Sequence, residues 1–139
     1  NAGLVGSEMC IRDSIKVDRS IKNDNENINT QARNLFKNGW SLMVYPQGTR
    51  AQKENFLPFK SGAFHIALEN NVPILPVVIA GTGDIWPKGS KFMKSGKAII
   101  NTLDPIDITK YTKDTIDELV FETQEKMAKV YKELTDSIK

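Results

Sequence analysis

The sequence predicts an α/β fold in which helices flank a mostly parallel sheet and a long amphipathic helix occupies the C-terminal end. Short apolar runs alternate along the chain with segments whose apolar residues recur at helical spacing. Two of these runs, 40–45 and 72–80, are apolar almost throughout, as is typical of parallel strands buried on both faces. Strands that alternate with helices in this way favour a parallel sheet covered by helices.

The first elements are a short strand and a helix. Residues 14–20, SIKVDRS, place Ile15 and Val17 on one face and predict a strand that ends at Arg19. A helical stripe follows a polar break, and Gly39 provides its C-terminal stop. The stripe consists of Ile28, Ala32, Leu35 and Phe36.

The middle of the chain predicts three strands separated by loops and a short helix. The run 40–45 is the first of these strands, and residues 47–61 form a loop that carries three basic residues. The segment 62–70, GAFHIALEN, predicts a short helix that ends at its asparagines. The run 72–80 is the next strand, and after a loop rich in glycine and lysine, 97–103 is the third.

Beyond Thr115 the chain predicts one long amphipathic helix. Thr115 and Glu118 have the spacing of a capping box. The apolar residues share one face, which predicts that the helix docks on the sheet. They are Ile116, Leu119, Val120, Met127, Val130, Tyr131, Leu134 and Ile138.

Residues 1–14, NAGLVGSEMCIRDS, show no sustained period and resemble translated adaptor sequence found at the ends of unrelated reading frames. We therefore interpret them as a non-native leader and assign residues 15–139 to one domain. A native N-terminal strand is the alternative interpretation of this segment.

Composition limits the possible functions. A chain of 139 residues with 40% hydrophobic and 26% charged residues is typical of one globular domain. The net charge of +2 is too small to indicate a nucleic-acid partner. One histidine and one cysteine exclude a structural zinc site, so we expect no metal. No apolar run approaches the ~18 residues of a transmembrane helix, so any membrane contact of this chain is expected to be peripheral.

Residues that suit an anion follow the strand 40–45. Ligands of parallel sheets bind beyond the carboxyl ends of the strands. At that place Gly48 permits close approach of the main chain, Thr49 offers a hydroxyl, and Arg50 offers a planar fork for phosphate or carboxylate. Arg19 ends an earlier strand in the same way. Together these residues predict a binding site for a phosphate-like group.

The loop 47–61 carries Lys60 directly before Ser61 and the predicted helix start, where free N–H groups and the helix dipole favour an anion. No P-loop motif is present. The one histidine, His65, has apolar neighbours in the middle of the predicted helix, which favours a packed or surface side chain over a general base. The residues alone therefore predict a binding site without a convincing catalytic base.

A lysine-rich loop lies between the last two predicted strands. Its lysines are Lys88, Lys91, Lys94 and Lys97. With Trp86 and Phe92 interleaved, the loop suits an anionic headgroup layer. A solvated loop whose aromatic side chains cover a core edge is the alternative.

Four segments in this order carry a family resemblance: VDR at 17–19, YPQGTR at 45–50, FLPFKSGAFHIAL at 56–68 and VPILPV at 72–77. The sequence resembles the glycerophospholipid acyltransferase family, and most closely its bacterial members that acylate lysophosphatidate. The family's four motifs are His-x4-Asp, a block like Phe-Ile-Asp-Arg, Phe-Pro-Glu-Gly-Thr-Arg, and Val-Pro-Ile-x-Pro-Val. The last three have counterparts here.

The resemblance implies acyl transfer from an acyl carrier protein or coenzyme A thioester to the free hydroxyl of lysophosphatidate, which gives phosphatidate. The thioester is a substrate, and no cofactor is implied. The resemblance also implies that the full-length protein works on the membrane surface, at the cytoplasmic face of a bacterial inner membrane.

The resemblance further implies roles for residues of this chain. The acceptor phosphate is expected at Arg19, Gln47, Gly48, Thr49 and Arg50, and Lys60 joins them by its charge and placement. The acyl or acceptor pocket is expected at Val72, Pro73, Ile74 and Pro76.

Two departures from the family pattern matter. The catalytic His-x4-Asp is absent, because His65 is followed by Asn70 at the fifth position. We expect the motif upstream of Arg19, so that residues 15–139 are the C-terminal part of one acyltransferase domain, contain no catalytic residue and are inactive alone. Gln47 replaces the usual Glu; it keeps an acceptor oxygen, loses the charge and gains an NH2 donor.

Two other functions stay open at this point. One is a non-catalytic module that binds a lipid phosphate, and the other is a soluble enzyme that binds a nucleotide or sugar phosphate at the same anion site.

Overall fold

The computed structural model describes residues 25–49, 56–87 and 89–138. The chain divides into two compact units, 1–43 and 44–139. The predicted strand at 14–20 lies outside the described residues.

The described part of the first unit contains helix α1, Asn25–Lys37, as the helical stripe predicts. Its end is a Schellman motif, in which the Gly39 N–H donates to the Phe36 carbonyl at 3.0 Å and the Trp40 N–H to the Leu35 carbonyl at 3.0 Å. Gly39 has a φ of 77°, a left-handed conformation in which glycine has no Cβ penalty. The predicted stop at Gly39 is therefore confirmed.

Residues 40–45 differ from the prediction of a buried strand. They form neither helix nor strand, and four of their five large side chains are exposed; Trp40 is 68% exposed and Tyr45 70%, while Leu42 is half-buried. An apolar run becomes a strand only when a neighbouring strand pairs with it. The sheet described in this structure contains only strands from later in the chain, so the prediction is wrong for this segment.

The second unit begins with helix α2, Gly62–Asn70, which is confirmed where the sequence predicts it. Asn71 ends it in a left-handed conformation with φ 51°, and its N–H donates to Leu68 at 3.3 Å. The Val72 N–H donates to the Ala67 carbonyl at 3.1 Å, which completes a second Schellman motif. Phe64 and Ala67 are the buried side chains of this helix.

The described sheet has two strands, β1 at Val77–Ala80 and β2 at Ile99–Thr102. They pair antiparallel, with Val77 opposite Thr102 and Ala80 opposite Ile99. The predicted parallel orientation is therefore wrong for this pair. A parallel pair needs a crossover, usually a helix that covers the sheet. Among the described residues between these strands, 81–87 and 89–98, the one helix is the single turn of α3, Thr82–Ile85, and the chain folds back to pair antiparallel.

Two prolines shorten the strand predicted at 72–80. Pro73 and Pro76 have no N–H to donate to a neighbouring strand. Before β1 only Ile74 makes an isolated antiparallel bridge, to Ile106, and regular pairing starts at Val77.

Helix α4, Ile116–Ile138, is the long C-terminal helix that the sequence predicts, and it packs on β1 and α2. The buried core between these elements consists of Phe64, Ile106, Ile108, Ile116 and Leu119. Thr123 is also buried, and its hydroxyl donates to the Leu119 carbonyl at 2.7 Å. The α/β class and the long helix are thus confirmed. No described helix combines the length and apolar character of a membrane crossing.

Candidate anion-binding site

The candidate site is centred on a turn at residues 45–48. The Gly48 N–H donates to the Tyr45 carbonyl at 3.0 Å and closes the turn. Pro46 occupies the second position, where its fixed φ suits a turn. Gly48 has a φ of 69°, which only glycine adopts without a steric penalty. Gly48 and Thr49 are exposed, so the turn is accessible to a ligand from solvent.

A second segment, residues 57–60, lies against this turn. The Lys60 N–H donates to the Pro46 carbonyl at 2.9 Å. The Gln47 side-chain amide donates from Nε2 to the Leu57 carbonyl at 3.4 Å. These two bonds join parts of the chain that are more than nine residues apart, and they fix the end of the loop beside the turn.

The Lys60 side chain lies across Gly48. A Cβ atom placed on Gly48 would be 3.2 Å from Lys60 Nζ and 3.2 Å from Lys60 Cε. The ammonium group therefore occupies the space that a side chain at residue 48 would need. Lys60 is exposed, so its charge is accessible to a ligand. The structure thus brings together two residues that the sequence assigns to phosphate binding.

Lys60 also directly precedes the first turn of α2. The Ser61 carbonyl accepts the N–H groups of Phe64 at 3.0 Å and of His65 at 3.0 Å. The Ser61 side chain makes no capping hydrogen bond to this helix. Lys60 therefore stands just before the N-terminus of α2, where the first main-chain N–H groups carry a partial positive charge.

Helix α4 holds the segment that carries Lys60. The Phe59 N–H donates to Gln124 Oε1 at 2.8 Å. Around this bond, the ring of Phe56 lies 5.4 Å from that of Phe59 and 5.6 Å from that of Tyr131, and Phe59 lies 6.3 Å from Phe64. The helical stripe includes Tyr131, but no sequence signal indicates the Gln124 bond, because it joins residues 65 positions apart.

The other predicted site residues have different locations. Arg19 and Arg50 lie outside the described residues. His65 is half-buried on α2 and has no described carboxylate hydrogen-bonded to it. Within the described ranges, no cluster of three or more His, Cys, Asp or Glu residues could hold a metal ion.

The predicted pocket residues precede β1. Pro76 is buried, Val72 is half-buried and Pro73 is exposed. Ile74 packs against the hydrophobic core and exchanges main-chain hydrogen bonds with Ile106, at 3.3 and 2.7 Å. Ile74 thus contributes to the core, and the assignment of these four residues to a pocket stays a prediction.

The family model described as Acyltransferase matches residues 1–80 of this chain. That range includes residues 1–14, whose assignment as a leader stays a prediction.

Curated relatives carry one recurring name. The 1-acyl-sn-glycerol-3-phosphate acyltransferase of Haemophilus influenzae is 36% identical over 126 residues, which cover 90% of this chain and 52% of the relative. The enzyme of the same name from Saccharomyces cerevisiae is 34% identical over 135 residues, covering 94% and 44%. The chain spans about half the length of the curated relatives it matches.

A solved structure is also similar. The crystal structure of the 1-acyl-sn-glycerophosphate acyltransferase PlsC from Thermotoga maritima matches with a TM-score of 0.70 and 32% identity. The match covers 77% of this chain and 44% of that one.

Proposed function

The chain belongs to the acyltransferase family, and from that premise we propose that it binds the phosphate of 1-acylglycerol 3-phosphate at the surface formed by Gly48 and Lys60. The reaction served is transfer of an acyl group to the free hydroxyl of this acceptor, which gives phosphatidate. The names of the Haemophilus, yeast and Thermotoga relatives support this acceptor.

The observation that carries the proposal is the contact of Lys60 with Gly48. An exposed ammonium group lies within 3.2 Å of the position that a Gly48 side chain would occupy, so a ligand at the turn meets a positive charge directly. A phosphate monoester carries about −1.5 to −2 charges at neutral pH, so it needs several donors. Lys60, the Thr49 hydroxyl and the first N–H groups of α2 are the described candidates, and we add Arg19 and Arg50 from the family resemblance.

Gln47 has a structural part in this proposal. Its amide donates to the Leu57 carbonyl at 3.4 Å, a bond that a Glu side chain could not make while ionised. The residue therefore helps to hold the Lys60 segment beside the turn. We propose that Gln47 acts through this positioning rather than by contact with the phosphate.

The acyl donor is a thioester, either of acyl carrier protein or of coenzyme A.

We further propose that these 139 residues bind the acceptor without turning it over. Abstraction of the acceptor's hydroxyl proton requires a base held by a second group. The one histidine, His65, is followed at the fifth position by Asn70, where the family's His-x4-Asp motif has a carboxylate. The acceptor is a lipid, so the site is proposed to act at a membrane surface, on the cytoplasmic face.

Calorimetric titration of the 139-residue chain tests the proposal. The ligand is a short-chain, water-soluble 1-acylglycerol 3-phosphate, and the matched neutral ligand is the monoacylglycerol of the same chain length. We expect binding of the phosphate ligand only, with a loss of at least about tenfold in Lys60→Ala, the effect of one charge-assisted hydrogen bond. Lys126→Ala, on the exposed part of α4, is the control and should bind normally.

Two results would contradict the proposal. Equal affinity for the neutral lipid would show that the phosphate is not recognised. Displacement of the lipid by a nucleotide would favour the alternative of a soluble phosphate-binding enzyme. Turnover above that of a heat-inactivated sample would refute the expected lack of catalysis.

A further inference from the structure

The loop between β1 and β2 has a defined structure. We call residues 85–98 the basic loop. The Lys94 N–H donates to the Ile85 carbonyl at 2.8 Å, which closes the loop near its base. Within it, Trp86 Nε1 donates to the Ser90 carbonyl at 2.9 Å, and the Ser90 hydroxyl donates to the Phe92 carbonyl at 2.8 Å. These hydrogen bonds connect the described parts of the loop, 85–87 and 89–98, to each other.

Two glycines fix the base of the basic loop against its surroundings. A side chain on Gly81 would collide with the carbonyl oxygen of Lys97 and would lie 3.0 Å from Ile138 Cδ1. A Cβ on Gly96 would be 2.8 Å from Ile85 Cγ1. These close approaches pack Lys97 on Gly81, directly after β1, and Gly96 on Ile85, so the two ends of the loop lie against each other and against the end of β1.

The basic loop exposes large apolar side chains. Phe92 is 79% exposed, Met93 71% and Trp86 50%. Ile100, just beyond the loop on β2, is also exposed. Adjacent exposed residues of this size mark a contact surface rather than an ordinary solvated loop. The prediction that the aromatic side chains cover a core edge is therefore not met at Phe92.

The same segment concentrates positive charge. Between Asp84 and Asp104 the chain contains four lysines and no acidic residue. Lys91, Lys94 and Lys97 are exposed. The whole chain carries +2 and this segment +4, so the remaining residues together are negative. The charge distribution thus gives the basic loop a preference for an anionic partner.

We propose that the basic loop docks on the anionic surface of a phospholipid membrane. Phe92 and Met93 insert at the level of the headgroups, Trp86 lies at the interface, and the lysines face lipid phosphates. Phe92 and Met93 are 79% and 71% exposed beside exposed lysines, and this combination suits insertion into the charged surface of a fluid membrane. This inference rests on the proposed function, because it names the surface that would bring the acceptor-binding turn to its lipid.

Vesicle sedimentation with the 139-residue chain tests the inference. The vesicles contain either phosphatidylcholine alone or equal parts of phosphatidylcholine and phosphatidylglycerol, and neither contains lysophosphatidate. We expect binding to the anionic vesicles only, weakened by salt. The triple variant K91Q/K94Q/K97Q should lose affinity by about fivefold per lysine. Phe92→Ser should lose at least about tenfold by loss of apolar burial.

The chain offers matched controls. K126Q/K129Q/K132Q removes three exposed lysines with the same spacing from α4, and Phe121→Ser removes another exposed ring, 64% exposed against 79% for Phe92, from that helix. Both should bind vesicles like the parent chain. Thermal unfolding checks that every variant is folded.

Three outcomes would overturn the inference: equal losses in the loop and control variants, equal binding to neutral vesicles, or loop variants that keep vesicle binding and instead lose an acidic acyl carrier protein. Binding of the water-soluble acceptor is measured separately, so failure here is distinguishable from failure of the proposed phosphate site.

Discussion

The Gln124 side chain accepts the main-chain N–H of Phe59 at 2.8 Å, and this bond ties helix α4 to the residue before Lys60. The bond gives the half-buried main-chain N–H of Phe59 a hydrogen-bond partner. The rings of Phe56 and Tyr131 pack beside it. Helix α4 therefore does more than cover the sheet, because it sets the position of the candidate phosphate-binding lysine.

Removal of this acceptor should weaken both the fold and the site. We expect Gln124→Leu to lower the free energy of unfolding by about 1–2 kcal/mol, since the Phe59 N–H loses its partner. Affinity for the soluble acceptor should also fall, because Lys60 is no longer held. Denaturant unfolding and calorimetry measure the two effects.

Gln124→Glu provides the matched variant, because a carboxylate still accepts the Phe59 N–H. It should restore most of the stability that Gln124→Leu loses. If both variants lost affinity and stability equally, the hydrogen bond would not be the reason.

Gly48→Ala should reduce affinity with a modest loss of stability. The φ of 69° costs a residue with a Cβ about 1 kcal/mol, and the new methyl group would lie 3.2 Å from the end of the Lys60 side chain. The lysine can move aside, so the larger effect should be on binding of the phosphate ligand. Gly83→Ala is the control, because no atom lies within 4 Å of a Cβ at that position. If Gly48→Ala bound the phosphate ligand with normal affinity, the contact between Lys60 and the turn would not contribute to binding.

Gln47→Glu tests whether the amide at this position positions the loop. The variant loses the donor to the Leu57 carbonyl and puts a negative charge beside that oxygen. We expect a loss of about 1 kcal/mol in unfolding free energy and weaker binding of a phosphate ligand. Gln31→Glu on α1 is the control, because it makes the same charge change at another amide, one that donates to Asn27 Oδ1 at 3.1 Å. It should bind the phosphate ligand normally. A gain of affinity in Gln47→Glu would show that the family's usual Glu contacts the ligand side of the site.

Several elements could be predicted because their causes are local. The ends of α1 and α2 follow from Gly39 and from Asn71, which adopt left-handed conformations where the sequence places a glycine or asparagine after a helical stripe. The extent of α4 follows from its apolar stripe. In each case a few neighbouring residues decide the conformation.

The errors concern partners that are distant in the sequence. Composition alone does not distinguish a buried parallel strand from the antiparallel β1, nor from the exposed segment 40–45. Pairing direction depends on how the chain turns between strands. The contact of Lys60 with Gly48 and the hydrogen bond from Phe59 to Gln124 also join residues that are distant in the sequence. The types of residue at the site could therefore be predicted from the sequence, but the contacts that hold them in position could not.

The Tyr111 hydroxyl provides a prediction about pH. It donates to Glu122 Oε2 at 2.7 Å, and this hydrogen bond, helped by partial burial and the nearby negative charge, raises the pKa of Tyr111 to about 12. The ordinary pKa of the unfolded side chain is about 10. The contribution to stability is therefore fully present below about pH 10 and is lost as the pH rises towards 12. Tyr111→Phe should remove this part of the alkaline loss, and unfolding curves of the two proteins across that range measure it.

The core provides the largest expected change in stability. Leu119 is completely buried on α4 among Phe64, Ile106 and other core residues. Leu119→Ala removes most of an apolar side chain and leaves a cavity, so we expect a loss of about 2–5 kcal/mol. Phe121→Ala, two residues later on the exposed face, should change stability by less than about 0.5 kcal/mol. Denaturant midpoints of the two variants decide whether α4 buries the face that the structure assigns to it; similar losses in both would mean that it does not.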